Sequence, residues 1–395
     1  MSVLEVEPAV LSRPASSKSV EVFRDFAPAL EAWAALEETS PAPIYATRRF
    51  AIPWHNTMGK AAGIKPMIVL IRGGDGEPLA LFPFGARRSH GITRVEFLGG
   101  KDSNANMGLF APGVTFNEGE IAALLIEAGR RSGLSPDCCI LANQPETWEG
   151  FANPLHALLH QPSASQCHSA QLIHDSEEFV RTRLSGDTRK KMRSKRRKLE
   201  EMGQVTLLTA RTSEEADRLL EAFFAQKLQR FDDKNIKSGF DSPQARDFFA
   251  RCCVSRIGRR DATVELHGLL VDDRIVATYG GGVHRGRFHG MINSFELDSQ
   301  IARCSPGDLL LGLLVEAKCR QGLAVFDLGT GEGRYKSTWC DREEPLFDSL
   351  IPLTALGRTF VRADAARRHV KRAIKQSAWA WPLVQKLRQK MRLGP

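Results

Sequence analysis

A chain of 395 residues is too long for one ordinary core and suits two, since single domains run to roughly 100–200 residues. Its 42% hydrophobic and 26% charged content excludes a disordered or fibrous chain, and no apolar run approaches the roughly 18–20 residues that cross a bilayer. The net charge of +9 sits almost wholly in residues 358–395, where eleven Lys and Arg face one acid, Asp364, so the body before that tail is nearly neutral.

In chain order, a flexible stretch over residues 1–19 carries no basic region followed by an apolar block, and a cytoplasmic location is expected. A strand near 20–23, helices at 28–37 and 45–51, strands at 67–71, 79–86 and 95–98, a helix at 118–131 and a strand at 139–141 follow. A central loop, 161–166, separates this half from the next. There Asp175 with Glu178 three residues on reads as a capping box, and a basic helical stretch from Arg189 to Glu201 stops at Gly203. A strand at 205–208 comes next. It leads to a helix with Leu219, Leu220, Phe223 and Phe224 on one face, and a second helix opens at Ser242-Pro243. Strands at 264–271, 275–283 and 288–295 are joined across Asp272-Asp273 and Arg285-Gly286, which predicts an antiparallel meander. A helix over 306–321 begins at the N-cap Ser305 and ends at Gly322; a strand at 324–328, a short helix at 333–338 and a strand at 346–353 complete the expected second lobe. The two halves share one order of elements, which predicts duplicated lobes at 20–165 and 166–357, then a basic amphipathic tail at 358–395.

The helix start Ser305-Pro306-Gly307 supports two readings. Free backbone N–H groups at Gly307 and Asp308, the positive end of the helix and Arg303 just before it would suit a pyrophosphate; equally, Ser-Pro-Gly is simply a favourable helix start. His284 and His289 flank a hairpin turn and are expected at solvated positions, with no carboxylate or cysteine partners to make a metal site. The eight cysteines, including the pairs Cys138-Cys139 and Cys252-Cys253, show no metal-ligand spacing and read as buried apolar residues in a reducing compartment. Gly280-Gly281-Gly282 reads as a bulge or a close strand approach. The run from Arg189 to Lys198 reads as a solvated face with a phosphate-meeting alternative, and nucleic acid is not the expected partner because no aromatics interleave it. In the tail, Val370, Ile374, Trp379, Trp381, Leu383, Val384, Leu387 and Met391 among dense cations suit either a helix packed on the lobes or a peripheral contact with an anionic membrane face.

The order of elements in the second half resembles the GNAT acyltransferase fold. The segments Thr188-Arg189-Lys190-Lys191-Met192-Arg193-Ser194-Lys195-Arg196-Arg197-Lys198-Leu199-Glu200-Glu201, Ser305-Pro306-Gly307-Asp308-Leu309-Leu310, and the run Phe326-Asp327-Leu328-Gly329-Thr330-Gly331-Glu332-Gly333-Arg334-Tyr335-Lys336-Ser337-Thr338-Trp339 are together similar to the CelD-like branch. Its members are tandem GNAT proteins associated with cellulose and exopolysaccharide production, distantly related to the FemAB aminoacyl transferases. The resemblance implies a mixed α/β fold of two tandem GNAT-like lobes plus a C-terminal basic helix. It also implies acyl transfer from acetyl-CoA or another acyl-CoA to an amine or hydroxyl of a small molecule or saccharide. The alternatives are a FemAB-like aminoacyl-tRNA-dependent transferase, whose long helical arm has no counterpart segment here, and a non-catalytic accessory protein of polysaccharide secretion. The turn Gln300-Ile301-Ala302-Arg303-Cys304-Ser305-Pro306-Gly307 has fewer glycines than the family's phosphate loop. By the same resemblance the thioester lies in a gap between Asn293-Ser294-Phe295-Glu296 and Asp327-Leu328-Gly329, with Tyr335 protonating the leaving thiolate or merely packing. Glu296 and Asp298 are then candidates to accept the amine proton. Asp327 orients Tyr335 or Lys336 or serves a buried structural hydrogen bond. Arg303, Ser305, Gly307, Asp308, Asn293 and Lys336 are the coenzyme-binding candidates.

Overall fold

Alternating apolar runs and punctuating turns resolve into two mixed sheets. In the computed structural model, which describes residues 18–232, 242–254, 263–331 and 333–376, the first half begins with β1 (Ser19–Phe23), α1 (Leu30–Thr39) and α2 (Arg48–Trp54). The strands β2 (Lys65–Arg72), β3 (Pro78–Ser89), β4 (Ile92–Phe97) and short β5 (Leu109–Phe110), then α3 (Glu120–Arg131) and β6 (Cys138–Pro145), complete it. The connector carries the two-residue pair β7 (Thr147–Trp148) and β8 (Phe151–Ala152), then β9 (His160–Pro162), which overlaps the start of the loop expected at 161–166, and β10 (Cys167–Gln171) directly after that loop.

The second half runs α4 (Ser176–Arg183), α5 (Gly186–Glu200), β11 (Val205–Thr209), α6 (Ser213–Asp232) and α7 (Pro243–Phe249). The meander β12 (Glu265–Val271), β13 (Arg274–His284) and β14 (Arg287–Phe295) follows, then α8 (Ser299–Arg303), α9 (Pro306–Arg320), β15 (Val325–Thr330) and α10 (Arg334–Trp339). β16 (Arg342–Glu344), β17 (Leu346–Pro352) and α11 (Ala355–Gln376) end the described chain. Local chemistry explains the boundaries. The Asp175 carboxylate accepts from the Glu177 and Glu178 N–H groups at 3.0 Å and 3.0 Å, and the Ser242 hydroxyl accepts from Ala245 N–H at 3.2 Å, so each helix start is capped as its sequence predicts. Opposite the glycine run, β14 bulges at Met291, since Gly280 pairs with Ile292 and Gly281 with Gly290, and a side chain on Gly281 would strike the His289 carbonyl.

The sheets exchange strands. The first has the order β1-β2-β3-β4-β6-β17-β9, with β5 added on β3; the second has the order β11-β12-β13-β14-β15-β10-β16. Strand β17, expected to complete the second lobe, instead pairs antiparallel with β6, Leu350 opposite Ile140. β10 from the connector pairs antiparallel with β15 in the second sheet. The reason is burial. Leu346, Phe347, Leu350 and Ile351 are all buried, and a strand buried on both faces needs a central place, which the edge beside β6 provides once β9 covers its other side.

The two lobes also share a core. Leu219, Phe223 and Phe224 of α6 and Phe248 and Phe249 of α7 pack with Trp33, Phe50 and Trp54 of the first lobe, and the Phe50 and Phe248 rings meet edge to face at 5.5 Å. α11 lays Val361 and half-buried Phe360 and Ala365 against Ile92, Cys138, Ile140 and Leu350 of the first sheet, and Arg368 bridges Asp348 at 2.7 Å. The remaining tail positions expected to be apolar, from Trp379 onward, lie outside the described residues. No described helix is long and apolar enough to cross a membrane.

Candidate active site

β14 and β15 run parallel for only three residue pairs, Arg287 with Val325, Phe288 with Phe326 and His289 with Asp327, and then part. Asn104, from the first lobe, holds them apart. Its amide donates to the Gly290 carbonyl at 3.1 Å, while its oxygen accepts from the Thr330 N–H and hydroxyl at 3.2 Å and 3.2 Å. Gly329 has φ +70° there, and any Cβ would overlap the Asn104 side chain, so both the conformation and the space require glycine.

A cavity of about 120 Å³ lies against β14, the start of α9 and α10. Tyr335, Asn293, Gly307 and Asp308 line it, so four of the expected site residues come together. Burial pushes the Tyr335 phenol above its usual range, with the neighbouring Asn293 side chain acting in the opposite direction. Tyr279 lines the same cavity, and burial followed by the neighbouring Tyr335 raises its phenol well above the usual range. Both phenols are thus proton donors at neutral pH. Arg230 of α6 also lines the cavity and lies over the Phe295 ring at 4.9 Å.

A buried polar chain gives one wall a defined polarity. The Gln226 amide donates to the Ile275 carbonyl at 2.8 Å, which turns its oxygen toward Ser294 and makes the Ser294 hydroxyl the donor at 2.7 Å. Having spent its only proton, Ser294 must accept from Thr278 at 2.6 Å. The Thr278 oxygen, lining the cavity, is left as an acceptor.

The start of α9 differs from the expected cap. Ser305 adopts a left-handed conformation (φ 51°, ψ 60°), from which its hydroxyl makes no cap bond; instead it accepts from Lys195 of α5 at 2.7 Å. The Asp308 N–H, expected to be free for a phosphate, donates to the Ser305 carbonyl at 3.0 Å, as does Leu309 N–H at 3.2 Å. The Lys195 ammonium, not a serine cap, therefore marks this helix start. Arg303 ends α8 on the surface beside it.

Other expected residues lie elsewhere. Lys336 is buried, and its ammonium donates to the Gly329 and Thr330 carbonyls at 2.9 Å and 2.8 Å, fixing the end of β15 rather than facing a phosphate. Asp327, 2% exposed, accepts from Arg287 at 3.1 Å and from Gly329 N–H at 2.7 Å. Burial alone would raise its carboxyl, but Arg287 and His289 hold it well below the usual range, the signature of a buried structural ion pair. Glu296 is tied to Arg274, which also reaches Asp298 at 3.4 Å, and neither acid lines the cavity. The histidines expected in solvent are not there: His289 is 1% exposed, its ring stacked on Trp148 at 5.9 Å, and burial lowers His284 to about 3.

Asn104, Lys195, Arg230, Thr278 and Tyr279 escaped the sequence reading. Lys195 alone carried a signal, as one cation in a run for which a phosphate role was an alternative.

Residues 186–337 match the acetyltransferase (GNAT) domain family. That span contains the splayed strands, the cavity and Tyr335, and the enzyme class it supports is an acyltransferase. Solved structures with the same fold include FemX, at 10% identity over 86% of this chain and 100% of that one, with a TM-score of 0.60. L-PGS from Bacillus licheniformis is 13% identical over 88% of this chain and 97% of its own, with a TM-score of 0.50. The C-terminal domain of a candidate lysylphosphatidylglycerol synthetase from Agrobacterium fabrum is 11% identical over 87% and 96%, with a TM-score of 0.51. No curated protein matches the chain at a significant level.

Proposed function

We propose that the second lobe binds an acyl-CoA thioester in the cavity between β13, β14, α9 and α10 and transfers the acyl group to an amine or hydroxyl of a small molecule or saccharide. The observation that carries this reading is the cavity itself, which sets a protonated phenol, Tyr335, beside the start of α9 in the segment that matches the GNAT domain. The coenzyme phosphates would lie at the positive end of α9, between Gly307 and the ammonium of Lys195. The acceptor nitrogen or oxygen attacks the thioester carbonyl, donating its proton to the Thr278 oxygen as a hydrogen bond and finally to the Asp308 carboxylate, directly or through water. Collapse of the tetrahedral adduct releases the thiolate, which takes the Tyr335 proton. Positioning in the cavity supplies much of the acceleration, on the order of 7–11 kcal/mol for two well-oriented reactants. The CelD-like segments point to amino sugars or other intermediates of exopolysaccharide synthesis as acceptors.

An aminoacyl-tRNA donor is the second reading, favoured by the exposed cations Lys190, Lys191, Arg193, Arg196, Arg197 and Lys198 of α5, which flank the same helix start. Calorimetric titration separates the two. Acetyl-CoA or a longer acyl-CoA is expected to bind the wild type, and Gly307→Glu, which adds a like charge where the phosphates would sit, to abolish the heat. Binding of aminoacyl-tRNA with no binding of any acyl-CoA would replace the first reading by the second.

A further inference from the structure

The face of α9 turned away from the active-site cavity borders a second cavity. At about 100° per residue, Gly307, Asp308 and Leu311 fall on one side of the helix, and Leu309, Gly312, Leu313 and Glu316 fall on the other. That second space, about 210 Å³, is closed by α4, by the strands β11 and β12 and by α5. Leu184, Leu269, Leu309 and Trp339 in its wall are all nearly inaccessible, so the lining is apolar. Its opening is set with cations of α5: Arg189, Arg193 and Arg196. Glu316 is the acid in the lining, and Arg320 stands 3.8 Å from it. The Nε of Arg189 is buried and has no hydrogen-bond partner among the described residues. An apolar cavity capped by a buried donor with nothing to donate to is complementary to a molecule with an aliphatic tail and an anionic head.

We infer that this cavity binds a medium-chain fatty acid, its tail between α5 and α9 and its carboxylate on Arg189 and Arg193. Octanoate, a straight seven-carbon tail on a carboxyl, is taken as the reference ligand for this apolar space. Because the cavity lies across α9 from Tyr335, this ligand is not the transferred acyl group, and its site is distinct from the one proposed for the coenzyme. The tail would fix α5 against α9, and α5 carries the Lys195 that holds Ser305, so occupancy bears on the α9 start through a rigid neighbour.

The test is a calorimetric series of straight-chain fatty acids from butanoate to dodecanoate, below their micelle concentrations, on the full chain. Affinity is expected to rise about fourfold per methylene as far as octanoate and then to level off. Octyl glucoside, with the same tail and no charge, is expected to bind about tenfold more weakly than octanoate, and Arg189→Gln to remove that preference. ω-Bromooctanoate should quench tryptophan fluorescence, and Trp339→Phe should remove the quenching while octanoate still binds. Leu313→Trp, which fills the space, should lose octanoate with an unchanged melting temperature. Affinity that climbs past octanoate without levelling, equal binding of octyl glucoside, quenching that survives Trp339→Phe, or displacement of octanoate by acetyl-CoA would each overturn the assignment.

Discussion

Two phenols and one hydroxyl define what the cavity can do to a bound pair of substrates. Tyr335 acts as an acid only while protonated, and burial raises its pKa, so its contribution is present at neutral pH and is lost as pH rises through that raised value. Tyr335→Phe is expected to lower kcat by about 10²–10⁴-fold without weakening acyl-CoA binding, and to erase the alkaline limb of the pH–rate profile. An unchanged limb would assign that ionisation to another group, with Tyr279 the first to examine. Thr278 makes a different prediction. Its oxygen is an acceptor only because Gln226 and Ser294 dictate the direction of the hydrogen bonds behind it. Thr278→Val should therefore raise the acceptor KM about tenfold and change kcat less, as steady-state kinetics with a fixed acyl-CoA concentration would show. Tyr335 and Asn293 could be named through the family resemblance, and both line the cavity. Thr278 could not, since its role rests on a hydrogen-bond direction set by Gln226, 52 positions earlier in the sequence.

At the scale of elements, the helix start that Ser305-Pro306-Gly307 announces is real, but its stabilisation comes from another helix. A pattern of residue types signals a cap; it does not reveal a left-handed φ at Ser305 or an ammonium arriving from α5. Lys195→Ala tests whether that ammonium also meets a ligand. If it faces coenzyme phosphates, acyl-CoA affinity should fall about tenfold, a typical value for a charge-assisted hydrogen bond, and binding should become less sensitive to salt. If Lys195 serves only Ser305, melting temperature will drop and affinity will hold. Most of the strands could be read as apolar runs bounded by turn residues, since they are buried on both faces, and the helices from their caps and apolar stripes. The order of strands in the sheets could not: Leu346, Phe347, Leu350 and Ile351 mark β17 as a buried strand and say nothing about which sheet holds it.

For the whole molecule, the exchange of β10 and β17, the Asn104 wedge and the shared aromatic core make the two lobes one folding unit. Deleting residues 346–376 removes β17 and α11 together. Burial of Leu346, Phe347, Leu350 and Ile351, at about 1.5–3 kcal/mol each, amounts to about 6–12 kcal/mol, as much as the whole stability of an ordinary domain. The truncated chain is expected to lose its cooperative thermal transition, followed by circular dichroism, although every residue of the proposed active site is retained. A native transition in that variant would show that the first sheet closes without its borrowed strand.

That borrowed strand also sets a schedule. During synthesis the N-terminal lobe emerges first, yet the neighbour that β6 needs, β17, lies roughly 200 residues further along the chain. Until β17 has emerged, the growing chain carries a half-finished sheet whose apolar edge at Cys139, Ile140 and Leu141 is uncovered. A stop or a stall before β17 would thus leave not a smaller working protein but a sticky fragment, because the first sheet closes only with that strand.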